Sequence, residues 1–232
     1  MRSAWVVWTL ALLCGGCATV QQSTQRETAL KFFVQGVLYE NEGQMEDALA
    51  FYRRASGIDA SSTYLLLKVG TVALQEKKVR EARDAFMKVL RSDPDNDEAL
   101  SGMGLVCYYE QDLTGAAKYM ERALAVAPDR LPVRVMLSDI YMSGRNFSAA
   151  LPHYERIVQE VPNNPLFRFN YGLALEAAGR SDEAQAQIQE ALNRAPRFGR
   201  GYLSLGSILE KSGKIREARE AYEKAIAASP RD

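Results

Sequence analysis

Six alanines stand 34 residues apart: Ala48, Ala82, Ala116, Ala150, Ala184 and Ala218. Other residues keep the same step. Gly36, Gly70, Gly104, Ser138, Gly172 and Gly206 form a second series, and Tyr52, Phe86, Met120, Tyr154, Ile188 and Tyr222 a third. Ala55, Val89, Ala123, Ile157, Ala191 and Ala225 form a fourth, and Ala60, Pro94, Pro128, Pro162, Pro196 and Pro230 a fifth. A period held without insertion over 29–232 restricts the chain to a stack of like units. One such unit cannot bury its apolar face alone and must lean on its neighbours. Numbering each unit from residue 29 places the small series at position 8, the alanines at 20, the large apolar series at 24 and the prolines at 32.

Within a unit, positions 4, 7, 8 and 11 recur at helical spacing; in the sixth they are Tyr202, Leu205, Gly206 and Leu209. Small residues at 8 and 20 let two helices approach closely, and the large residue at 24 fills the space beside them. Gly43, Gly179 and Gly213 fall where the chain must turn, a place that often needs a positive φ. Proline at 32 stops the second helix. The pattern resembles the tetratricopeptide repeat. That resemblance implies an all-α fold, a right-handed superhelical solenoid of six helix–turn–helix repeats and about twelve helices. The repeats run 29–62, 63–96, 97–130, 131–164, 165–198 and 199–232. Gln35, Arg134 and Arg168 depart from the family pattern at usually apolar positions. Pro152 falls in the first turns of a second helix, where few N–H groups have intrahelical partners.

Composition excludes several classes. Lys and Arg together number 29, as do Asp and Glu, so no excess of cation is available to neutralise a nucleic acid backbone. Three Cys and one His leave little for metal chemistry or a disulfide framework. His153 has no second His beside it and reads as a surface residue. Cys107, at a core position, reads as a small buried hydrophobe. Gly102-Met103-Gly104 lies mid-helix with no preceding strand, so it is not a phosphate loop. The repeats account for all of 29–232 and leave no room for a catalytic domain. No catalytic residue, metal site or cofactor is expected.

The surface that remains is the other face of each first helix. In the resembling family, positions 2, 5, 9, 12 and 13 line a concave groove. Here they supply Phe33, Val37, Tyr64, Leu67, Leu105, Tyr108, Tyr109, Val135, Asp139, Met142, Phe169, Leu173 and Leu203. The family's carboxylate clamp, with Lys at 5 and Asn at 9, is missing, as is its asparagine ladder. Exposed apolar strips mark binding surfaces, and aromatic anchors on rigid helices suit a peptide or an amphipathic helix. Two placements stay open for these side chains: facing a ligand, or packed against the next repeat. Asp139 reads as a lone solvated carboxylate.

The N-terminus carries a different message. Met1-Arg2-Ser3 precedes an apolar run, Ala4–Leu13, too short to span a bilayer but suited to an export signal. Leu13-Cys14-Gly15-Gly16-Cys17-Ala18 resembles a bacterial lipobox, although Cys14 stands where leucine is usual. The resemblance implies cleavage after residue 16, acylation of Cys17 and a tether over 17–28. Ala18 after the cysteine implies the outer membrane, facing the periplasm. An ordinary secretory signal cut nearby is the alternative. The Cys14/Cys17 spacing also spells a redox motif, but it lies at the edge of the export segment.

The expected function is therefore that of a lipid-anchored scaffold that binds protein or peptide partners. The plan is similar to that of pilotins of type IV pilus secretins and adaptors of cell-wall hydrolases. Nucleic acid is not an expected partner. Because Asp232 is the final residue of the sixth repeat, its outer face is expected to be uncapped. Either the array is longer, or that end docks onto a copy of itself or another protein.

Overall fold

In a computed structural model, residues 24–228 are described. They form twelve helices and, among the described residues, no strand. In chain order these are α1 (24–41), α2 (Met45–Ile58), α3 (Thr63–Gln75), α4 (Val79–Ser92), α5 (Asp97–Tyr109), α6 (Leu113–Val126), α7 (Leu131–Ser143), α8 (Phe147–Glu160), α9 (Pro165–Ala177), α10 (Ser181–Arg194), α11 (Gly199–Lys211) and α12 (Ile215–Ala228). Residues 1–16, read from the sequence as an export segment, and Cys17 lie outside the described residues. The helix α1 takes in residues 24–28, which the sequence assigned to the tether. Local bonds explain the extension. The Thr28 hydroxyl donates to the Thr24 carbonyl at 2.8 Å, and Glu27 pairs with Lys31 one turn on at 2.9 Å.

The helices start and stop for local reasons. Ser62, Asn96 and Asn164 accept backbone N–H groups at the starts of α3, α5 and α9. Asp112 and Asn146 do the same for α6 and α8. The turn inside each repeat has positive φ at position 15. Gly43, Gly179 and Gly213 take 76°, 80° and 74°, as the sequence predicts; Lys77, Gln111 and Arg145 take 57°, 65° and 56° there as well. A six-residue backbone bond closes the turn, for example Lys78 N–H to Ala73 O at 2.7 Å and Asn146 N–H to Tyr141 O at 2.8 Å.

The chain divides into two compact units between Glu110 and Gln111. In the first, α3 packs on α4 and α5, and α2 on α3. Phe86, 2% exposed, sits against two glycines: a Cβ on Gly70 would lie 2.6 Å from its ring, and one on Gly102 of the next repeat 2.4 Å. In the second, α6 through α12 pack each on the next. Ile188 covers Gly172, and Tyr222 covers Gly206, in the same way. Position 8 is small because the position-24 side chain lies directly on it.

Charged residues tie neighbouring repeats. Glu40 pairs with Lys68, Glu46 with Lys78, Arg53 with Glu81 and Arg83 with Glu110 in the first unit. Glu176 pairs with Lys211 in the second. Arg134 and Arg168, which break the family pattern, donate to the carbonyls of Pro128 and Pro162 at the preceding repeat's end. Pro152 is the sixth residue of α8, beyond the N–H groups that lack intrahelical partners. It therefore leaves the Ser148 carbonyl without its usual donor four residues on, and the helix runs through it on an exposed face.

A candidate protein-binding surface

In the first unit, Phe33 of α1 and Tyr64 of α3 meet edge to face at 5.3 Å. Tyr64 is 57% exposed, and both rings border a cleft of about 340 Å³ shared with Leu30, Leu65, Arg26 and Asp59. Val37, Leu67, Leu105 and Tyr108 are half-buried. Tyr109 is exposed and stands edge-on to Tyr108 at 6.3 Å. The unit thus presents tyrosines whose rings are braced by neighbours, which lowers the ordering cost of a contact.

In the second unit, Val135 and Met142 are half-buried against Ala150, Tyr154, Ile157 and Ala174. Leu173 packs partly into the next cluster. Leu203 stands open, as does Leu166 beside an apolar cleft of about 530 Å³ lined by Pro165, Ala195, Pro196, Arg197 and Phe198. Phe169 does not face a ligand. It is 5% exposed, because Phe198 from the end of its own repeat covers its ring edge-on at 4.8 Å.

Four carboxylates on these helices are already engaged. Asp139 is exposed but accepts the Tyr154 hydroxyl at 2.8 Å, so it is not the lone solvated group the sequence suggested. Glu40 accepts the Tyr52 hydroxyl and the Lys68 ammonium. Burial works to raise its pKa, but those two donors outweigh burial and hold it below the ordinary range. Glu210 accepts the Tyr222 hydroxyl at 2.8 Å. Glu176, despite burial, is held low by Lys211 and Ser181. The signal was present in the sequence. Each repeat with tyrosine at 24 also has an acid at 12 or 9 on the facing helix, and where Met142 replaces the acid at 12, Asp139 supplies it at 9.

The remaining candidates are structural. Cys107 is buried, and no three His, Cys, Asp or Glu among the described residues converge on a metal position. No helix of the described residues is long and apolar enough to cross a membrane. His153 is half-buried rather than on the open surface, stacked on Tyr141 at 5.9 Å. Burial, then the nearby Arg134 cation, lowers its pKa from the ordinary 6.5. The unfolded chain therefore takes up a proton near pH 6.5 that the folded chain refuses, and stability falls as pH drops through that value. Thermal melts between pH 7.5 and 5.5 should show this decline, and His153→Gln should flatten it. An equal slope in both proteins would refute the assignment.

Residues 67–130, 135–196 and 174–232 match one tetratricopeptide repeat family, and 32–62 match a second of the same description. Small glutamine-rich tetratricopeptide repeat-containing protein 2 of Mycosarcoma maydis is 34% identical over 89 residues, 38% of this chain and 25% of that protein. Cellulose synthase 2 operon protein C of Komagataeibacter xylinus is 27% identical over 179 residues, 76% of this chain and 12% of that protein. The chain thus spans a quarter or less of these curated relatives. Among solved structures, YrrB, described as a tetratricopeptide protein with an unusual peptide-binding site, is 21% identical. It superposes with a TM-score of 0.71 over 78% of this chain and 93% of its own, a likeness of fold. With matched segments covering most of its length and helices paired in 34-residue steps, the chain belongs to the tetratricopeptide repeat family.

Proposed function

We propose that the chain is a lipid-anchored adaptor of the cell envelope that captures a protein segment on the apolar faces of its first helices. The observation that carries the capture is the exposure of Tyr64 and Tyr109 in the first unit, and of Leu203 in the second, at groove positions. Such faces offer aromatic and aliphatic anchors, which favour an apolar or amphipathic peptide. Acylation at Cys17 would hold the adaptor at a membrane, with the outer membrane's periplasmic face the reading that Ala18 favours. Assembly of a pilus secretin or of cell-wall machinery is the role proposed for it.

The test is a photo-crosslinking amino acid placed at Tyr64 and at Leu203 in cells. A discrete protein adduct is expected at each. The variant Tyr64→Ser/Tyr109→Ser/Leu203→Ser should keep its helicity and lose at least about tenfold in capture, as anchors costing above 1 kcal/mol would. Retained partners in a folded triple variant would refute the surface.

A further inference from the structure

Position 10 of the repeat is a core position in five of six repeats. Val72, Val106 and Ala174 are 0% exposed, Ile140 is 1% and Ile208 is 3%. In the first repeat the same position is Leu38, and it is 50% exposed. Leu30 and Val34, two turns and one turn earlier on α1, are exposed at 58% and 47%, and an adjoining cleft of about 500 Å³ is lined by Leu30, Val34 and Phe51. The complementary edge shows the converse. At position 28, Leu124, Val158 and Leu192 are buried, whereas Ile226 of α12 is 69% exposed. Ile215 on the same helix is 63% exposed.

The internal junctions show what meets what. Phe86 at position 24 lies against position 6 of the following repeat, Gly102; Leu192 at position 28 lies against position 3, Gly201. Arg83 at position 21 pairs with Glu110 at position 14 of the following repeat. Carried over in register, Tyr222 would meet Val34, Ile226 would meet the stem of Lys31, and Arg219 would meet Glu42. The site of the Arg53–Glu81 pair would instead hold Glu223 against Asp47. Of the five inter-repeat ion pairs, one is therefore kept, one becomes a like-charge contact, and three lose their ionic partner (Glu210 with Val34 and with Asn41, Arg216 with Gln44), so apolar burial carries the junction.

We propose that a second copy of this chain docks its α12 face onto the α1 face, continuing the stack head to tail. This inference does not depend on the groove reading. A contact between two different faces is heterologous and builds rings or open chains, and an open chain grows with concentration. Because it keeps a single ion pair, raising salt should leave it largely intact.

The test is sedimentation velocity on the full chain carrying Cys17→Ser, so that acyl chains do not drive association. The mean mass should rise past that of a dimer over the micromolar range. Leu38→Glu alone, or Ile226→Glu alone, should give monomers with unchanged helicity, both side chains being exposed. An equimolar mixture of the two variants should then form dimers and nothing larger, since each keeps one intact face. A parent chain that stays monomeric overturns the proposal. So does a response to Ile226→Glu without one to Leu38→Glu, which would mark a symmetric tail-to-tail contact. A mixture that fails to reassociate overturns it as well.

Discussion

Phe86→Ala should destabilise the protein by about 3–5 kcal/mol, the range for emptying a fully buried phenylalanine site. The ring is 2% exposed and lies against Gly70 of its own repeat and Gly102 of the next, so its loss opens both an intra-repeat and an inter-repeat contact. Gly102→Ala tests the same junction from the other side. Its new methyl would stand 2.4 Å from the Phe86 ring, so the ring must move. We expect a cost of about 1–3 kcal/mol from overpacking, reduced by roughly 1 kcal/mol from the better helix propensity of alanine. The double variant Phe86→Ala/Gly102→Ala should be less unstable than the two single losses combined, because the methyl occupies vacated space. Urea denaturation of the four proteins measures the coupling, expected at about 0.5–3 kcal/mol. Strict additivity would show that ring and glycine do not share this contact in solution.

Cys17→Ser should move the protein almost wholly from the membrane to the soluble fraction. Each acyl CH₂ buried in the bilayer contributes about 0.8 kcal/mol, so the loss of several chains is effectively all or none. Cys14→Ser should leave the protein membrane-bound, since that residue would be removed with the export segment. Fractionation together with intact mass of the purified protein reads both outcomes. If Cys17→Ser stays in the membrane fraction, or if the parent mass lacks the acyl chains, the anchor reading is wrong.

The fold could be read from the sequence because its determinants repeat. A glycine at 8, an alanine at 20 and a large apolar residue at 24 encode one close helix pair, and six copies average out single departures such as Ser138 or Met120. The binding surface was less legible. Position 5 is apolar in every repeat but the third, where it is Ser101, whether it faces a ligand or a neighbour, so Leu203 at 51% exposure and Phe169 at 5% look alike in sequence. Only the placement of Phe198 separates them. The charges were harder still. Arg134 and Arg168 look like defects in an apolar series, but they close the preceding proline turns. Lys77, Gln111 and Arg145 take a backbone conformation that their side chains disfavour, at a register marked by glycine in the other repeats.

The ion pairs between neighbouring repeats also bear on how the protein would respond to force. Their partners lie 27 to 35 residues apart, about one repeat, so each bridge clamps a short loop of chain. Within the first unit, load applied along the chain would pass through the clamps that join the first three repeats. Because stability in such arrays is a sum of nearest-neighbour terms, tension would peel repeats one after another from an end, each step paying out a fixed length of chain and re-forming when the load falls. In an optical trap the signature would be a sawtooth of evenly spaced extensions rather than a single rupture.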